Sequence, residues 1–168
     1  MCRITRQHLF QSPLHFLAFG FGCGLSPKAP GTMGTLAAVP LVWIMSQFPN
    51  LIYTSVTLFC VLAGSAICNA ASRTLNEHSG RNHYVHDHPA IVWDEIVGMM
   101  LTMIFIPVTW LTLLIGFLLF RFFDILKPWP IRYFDQRVHG GIGIMLDDII
   151  AAIFANIILR VLLPYLPL

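Results

Sequence analysis

Ile96-Val-Gly-Met-Met-Leu-Thr-Met-Ile-Phe-Ile-Pro107-Val-Thr-Trp-Leu-Thr-Leu-Leu-Ile-Gly-Phe-Leu-Leu-Phe-Arg-Phe-Phe123 is the stretch on which the architecture turns. Read as one helix kinked at Pro107, its 28 residues would reach about 42 Å and put Asp94 and Glu95 across a bilayer from Asp124. Read as a hairpin turning at Pro107-Val-Thr109, it returns all three carboxylates to one side. Basic residues decide between the two, because Lys and Arg accumulate on the cytoplasmic side of membrane proteins. With the hairpin, Arg3, Arg6, Lys28, Arg73, Arg81, Arg121, Lys127, Arg132 and Arg137 share one face and only Arg160 lies elsewhere. With a single span the division is six against four. The hairpin is the expected form. Its arms are shorter than the roughly 20 residues of a full span, so they are expected to be re-entrant or to thin the bilayer locally.

Outward from the hairpin, further apolar runs cover Gly34 to Phe48, Leu51 to Ser72 and Ile149 to Leu163, with Pro49-Asn50 turning the first into the second. At 57% hydrophobic and 11% charged, the 168-residue chain is far more apolar than a soluble domain, which carries about 25% charge. The expectation is all-α: one polytopic membrane domain over residues 1–168, about five helices, N-terminus inside and C-terminus outside. Asn76 to Pro89 is the one linker-like stretch. No nucleic-acid partner is expected, and the sequence leaves the oligomeric state open. A cleaved signal peptide is not expected, because Pro13, Gly20, Gly22 and Gly24 interrupt the short apolar run from Leu14 to Phe21. Cys2, Cys23, Cys60 and Cys68 form no CxxC pair, and Cys60 and Cys68 on one helix would lie roughly 12 Å apart, too far to bridge.

Five of the eight acidic residues sit at rims of the apolar runs: Asp94, Glu95, Asp124, Asp147 and Asp148. Carboxylates at membrane depth are costly and imply a cation or basic partner. In Asp94-Glu-Ile-Val-Gly98, Asp94 and Gly98 share a helix face, so a neighbour can pack closely behind the carboxylate. Arg121, Asp124 and Lys127 follow at spacings of three along a helix that Pro128 ends, mixing the acid that holds a cation with the bases that neutralise phosphate oxygens. A simple salt-bridge ladder is the alternative. Asp147-Asp148 is expected to open the last helix after the flexible His139-Gly-Gly-Ile-Gly143 run. Adjacent carboxylates there repel unless a divalent cation or a proton intervenes. Ala151 and Ala152 permit close packing one turn on.

Gly24-Leu-Ser-Pro-Lys-Ala-Pro-Gly-Thr-Met-Gly-Thr35 is a Gly/Pro-rich loop leading into the first long helix. Thr32 or Thr35 is expected to cap that helix, and its free N–H groups with Lys28 make an anion site suited to phosphate. A capped loop holding a lipid headgroup or nothing is the alternative. The loop is not a Walker motif. Around Trp129 to Val138, aromatic residues alternate with Arg132 and Arg137, which suits a segment in the headgroup layer or an ordinary loop. His78, His83, His86, Asp87 and His88 crowd one loop without zinc-site spacing. The hard oxygen donors favour Mg²⁺ instead. Cys23 is no phosphate-loop nucleophile, because Ala29 stands where such a loop needs Arg.

Four ordered segments, Gly24 to Leu36, Trp93 to Gly98, Phe120 to Ile131 and Gly140 to Ala152, resemble the bacterial phosphatidylglycerophosphatase A family across about residues 20 to 155. Cys23 stands where the family pattern has Ser, and Ala152 where it has Gly; neither departure removes a charge. The resemblance implies a phosphoric monoester hydrolase of the bacterial inner membrane. It would be multi-pass with its site facing the cytoplasm, and would convert the phospholipid phosphatidylglycerophosphate to phosphatidylglycerol with Mg²⁺ as cofactor. On that footing Asp94, Glu95, Asp124, Asp147 and Asp148 would hold Mg²⁺ and be catalytic. Lys28, Thr32, Thr35, Arg121 and Lys127 would bind substrate, and water or an aspartate would attack phosphorus. Two rivals stand beside it. A CDP-alcohol phosphotransferase would need a spaced Asp-Gly...Ala-Arg...Gly...Asp...Asp signature that is absent. A cation transporter would need acids near mid-bilayer rather than at one rim.

Overall fold

The computed structural model describes residues 12–79, 88–138 and 140–167, and these are all-α. In chain order the helices are α1 (Pro13–Ala18), α2 (Pro30–Met45), α3 (Asn50–Ser79), α4 (Trp93–Thr102), α5 (Trp110–Leu126), α6 (Ile131–Arg137) and α7 (Gly141–Leu162), with 3-10 turns at Gly20–Leu25 and Leu163–Tyr165. Every apolar run became a helix. The described residues hold seven α-helices rather than about five, because hydropathy does not register the two short polar-flanked ones. Helix α1 is set by the Ser12 hydroxyl, which accepts from the Leu14 N–H ahead of Pro13. Helix α6 starts directly after Pro130.

The decisive stretch is a hairpin. Helix α4 stops at Thr102, five residues before Pro107, and the chain tightens through Met103 N–H to Met100 C=O and Ile104 N–H to Leu101 C=O. Phe105 then takes a left-handed φ of 56°. The turn therefore occupies 103–109, a wider span than Pro107 to Thr109. Thr109 restarts the helix: its hydroxyl accepts from the Thr112 N–H at 3.2 Å, and its own N–H donates to Thr112 Oγ1 at 2.9 Å. Two glycine contacts fix the arms antiparallel. The Phe120 ring lies 2.4 Å from where a Gly98 Cβ would stand, and Met103 Sδ lies 2.9 Å from that point on Gly116. Side chains at these two positions would push α4 and α5 apart.

Among the described residues two helices are long and apolar enough to cross a membrane by length and composition, at Asn50–Leu75 and Gly141–Tyr165. Helix α7 is the central element, packing against α3, α4, α5 and α6. Ala151, Ala152 and Ala155 are fully buried along it, so the expected close packing is realised. Contrary to expectation, Asp147-Asp148 does not open α7. The helix begins six residues earlier at Gly141, and its first turn carries no acid. The glycines that read as a flexible run serve helix contact instead: a Cβ on Gly141 would stand 1.9 Å from the Ser65 carbonyl oxygen of α3. Far from the acids, Trp43 of α2 and Trp110 of α5 stack with ring centroids 4.9 Å apart.

Candidate active site

Three helices deliver the acids to one end of the bundle. Helix α4 contributes Asp94 and Glu95 from its first turn, α5 contributes Asp124 near its C-terminus, and α7 contributes Asp147 and Asp148 from its second turn. Helix α2 brings its own N-terminal turn against them. Asp94, Asp147 and Asp148 are all buried. Two trios of carboxylate oxygens converge, Asp94 with Glu95 and Asp148, and Asp124 with Asp147 and Asp148. Within each trio the oxygens lie within 4.8 Å of one another, and Asp148 belongs to both.

The two trios differ in how their charge is met. Arg121 Nη1 stands 2.5 Å from Asp124 Oδ2 and 4.0 Å from Glu95 Oε1, and Lys127 Nζ donates to Asp147 Oδ2 at 2.5 Å. The basic side chains thus serve mainly Asp124 and Asp147. In the other trio, Asp94 Oδ1, Glu95 Oε2 and Asp148 Oδ2 are buried with no hydrogen-bond partner. Such oxygens are strongly destabilising unless a proton or cation meets them. Asp94 and Glu95 lie outside the two span-length helices. Burial raises Asp94 well above the ordinary carboxylate range, with Glu95 and then Asp148 adding to it. Burial likewise pushes Glu95 up to about 7, with Asp124 adding and Arg121 opposing. Clustered, desolvated, hard oxygen donors fit a divalent cation of the Mg²⁺ kind.

The Arg121, Asp124 and Lys127 spacing reads as a mixed-charge site, with a salt-bridge ladder as the alternative; within α5, Arg121 pairs with Asp124. Lys127 caps α5 in a left-handed conformation, φ 42°, and its ammonium pairs across to α7. The loop before α2 reaches the cluster through its backbone. Gly31 lies so close that a Cβ there would stand 2.2 Å from Glu95 Oε1 and 3.2 Å from Arg121 Nη1. Neither threonine caps α2. The cap is Ala29, left-handed with φ 46° and with no side-chain hydrogen bond, because Thr32 and Thr35 both fall inside the helix that starts at Pro30. Thr35 is fully buried; its hydroxyl donates to Gly31 C=O at 3.0 Å and accepts from Arg121 Nη1 at 3.4 Å. Lys28 is exposed and Thr32 half-buried, and among the described residues neither side chain hydrogen-bonds to the acids. Gly31 was not singled out from sequence, although a Pro-Gly pair ahead of a helix is the signal for close backbone approach.

Of the histidine-rich loop, His83, His86 and Asp87 and the side chain of His78 lie outside the described residues, as do Arg3, Arg6 and Arg81. His88 Nδ1 accepts from the Ala90 N–H at 3.4 Å, shaping the entry into α4. Among the described residues Cys23, Cys60 and Cys68 form no disulfide. The Trp129 to Val138 segment leaves Trp129 and Tyr133 exposed, with the Arg137 guanidinium 4.3 Å from the Tyr133 ring centroid.

The family model described as "Phosphatidylglycerophosphatase A" matches residues 16–163. A relative of that name from Escherichia coli (strain K12) is 44% identical over 145 residues, covering 86% of this chain and 80% of the relative. Another of that name, from Haemophilus influenzae (strain ATCC 51907 / DSM 11121 / KW20 / Rd), is 46% identical over 149 residues, covering 88% and 86%. No solved structure matches. With the match running through all five acids, the chain belongs to the phosphatidylglycerophosphatase A family.

Proposed function

We propose that this chain is a membrane-bound Mg²⁺-dependent lipid phosphatase that hydrolyses phosphatidylglycerophosphate to phosphatidylglycerol and inorganic phosphate. The observation that carries the reading is the meeting of five carboxylates with Arg121 and Lys127 at one end of an apolar helix bundle. The names of the two relatives supply the substrate. Asp94, Glu95 and Asp148, whose buried oxygens have no protein cation of their own beyond the distant Arg121, would hold Mg²⁺. Bound there, Mg²⁺ would neutralise charge on the phosphate oxygens and polarise phosphorus toward attack.

The remaining groups have work of their own. Arg121 and Lys127 exchange carboxylate partners for the phosphate oxygens when substrate arrives, and the charge that builds on those oxygens is met by fixed donors. Thr35 holds the Arg121 fork in place, and the N-terminal turn of α2 at Gly31 closes one wall. Asp124 and Asp147, released from their bases, are placed to accept a proton from attacking water. Breaking the phosphorus–oxygen ester bond leaves the glycerol oxygen to take a proton. Exposed apolar residues on α2, α3 and α5, such as Leu36, Phe59 and Leu118, face the acyl region of the bilayer, with the acid end toward the cytoplasm.

The test is phosphate release from phosphatidylglycerophosphate by detergent-purified protein, with Mg²⁺, with excess chelator, and for Asp124→Asn. Mg²⁺-dependent release that the variant loses is the expected result. A folded wild type that releases no phosphate would overturn the reading.

A further inference from the structure

The end of the bundle away from the acids carries a polar device that the reaction itself does not use. Asn156 Nδ2 donates to Thr102 C=O at 2.8 Å and to Ile104 C=O at 3.0 Å. Arg160 Nε donates to Asn156 Oδ1 at 2.8 Å, and Arg160 Nη2 donates to the same Ile104 carbonyl at 3.1 Å. The Tyr53 hydroxyl of α3 donates to Met100 C=O at 2.8 Å. The Thr102 and Ile104 carbonyls belong to the end of α4 and the hairpin turn, where helix geometry leaves acceptors unmatched, whereas Met100 C=O also accepts from the Met103 N–H. At membrane depth an unmatched carbonyl costs several kcal/mol, so these bonds are strongly directional constraints.

We infer that Asn156, oriented by Arg160, is a positioning residue that sets the axial register of α4 against α7, and through it the spacing of the carboxylates. The inference rests on the metal-holding role proposed for Asp94, Glu95 and Asp148. Helix α4 meets α7 at two places. Asp94 and Glu95 meet Asp148 at one end, and Thr102 and Ile104 meet Asn156 at the other. Asp94 to Thr102 and Asp148 to Asn156 are each eight residues, about 12 Å of helix. The two rungs match in length, so the lower bonds form only in the register that brings the upper carboxylates together. Ala151, Ala152 and Ala155 lie between the rungs, fully buried, and their small side chains present few ridges that would lock the helices axially. The amide clamp supplies that lock. A slip of one residue moves Asp148 past Asp94 by about 1.5 Å, enough to spoil chelation by oxygens that now lie within 4.8 Å.

Mn²⁺ bound to detergent-purified protein, counted by electron paramagnetic resonance, tests this without turnover. Asn156→Leu keeps the branched shape of the side chain, with somewhat more bulk, and removes both donated bonds and the acceptor for Arg160. Folded Asn156→Leu is expected to bind Mn²⁺ about 10- to 100-fold more weakly, the range seen when supports of metal ligands are lost. Its kcat should fall while KM for lipid holds. Arg160→Leu, at an exposed site, serves if Asn156→Leu does not fold, with a smaller loss of affinity in the same direction; Arg160→Lys should recover part of it. Wild-type Mn²⁺ affinity in the folded variants would overturn the clamp alone. A wild type that binds no Mn²⁺ would overturn the metal site, and the clamp's purpose with it.

Discussion

Replacing Gly31 with alanine separates activity from stability. The new Cβ would stand 2.2 Å from Glu95 Oε1 and 3.2 Å from Arg121 Nη1. Ordinary contact requires the Glu95 carboxylate to retreat by about 1 Å, and the guanidinium to give slightly. Folding tolerates this, because the obstacle is the tip of a side chain, and alanine in a helix gains up to about 1 kcal/mol over glycine. The site does not, because a misplacement of about 1 Å costs roughly 100-fold in rate. Gly31→Ala is therefore expected to unfold at or slightly above the wild-type temperature while kcat for phosphate release falls about 100-fold. Thermal unfolding and phosphate release in the same detergent, at saturating Mg²⁺ and substrate, measure both. A variant with kcat within about threefold of wild type would refute the placement of Glu95 and of the α2 N-terminus beside it.

Gly141→Ala should behave in the opposite way: its Cβ would meet the Ser65 backbone oxygen at 1.9 Å, which cannot swing aside, so folded yield and unfolding temperature should collapse. Wild-type expression of that variant would sink the account of α3 against α7. In chelator, stability should fall as pH rises from about 4.5 to about 7, because the folded state holds a proton on Glu95, whose pKa is raised to about 7, that the unfolded chain has already released. Added Mg²⁺ should restore the loss at neutral pH, whereas an unfolding temperature that climbs with pH in chelator would contradict the charge balance drawn for Glu95.

Much of this was legible in the sequence for specific reasons. Hydropathy runs located every long helix, and the basic-residue tally selected the hairpin that joins Glu95 to Arg121. The five acids were visible because charge at the rim of an apolar run is rare. What escaped was governed by contacts rather than by local pattern. Glycine at 141 reads as flexibility until the Ser65 carbonyl beside it is known, so the start of α7 was placed too late. Lys127 reads as a rung at i+3 from Asp124 until the left-handed cap turns it toward Asp147. Thr32 and Thr35 read as caps because nothing local reveals that Pro30 has already begun the helix. Arg160 stood out only as the one basic residue on the wrong face, and its partner Asn156 had no motif to mark it.

The stacked pair of Trp43 and Trp110 makes the protein readable by light. Two indoles held 4.9 Å apart at an interplanar angle of 22° couple their transitions, and the coupling gives a circular dichroism couplet that isolated tryptophans lack. Trp129 is exposed and Trp93 is buried elsewhere in the bundle, so the couplet belongs to the α2 and α5 pair. The other end of that pair is the contact between Thr35 and Arg121. Any event that parts the two helices, the arrival of a phospholipid included, would therefore register as a change in the optical spectrum of the unlabelled protein.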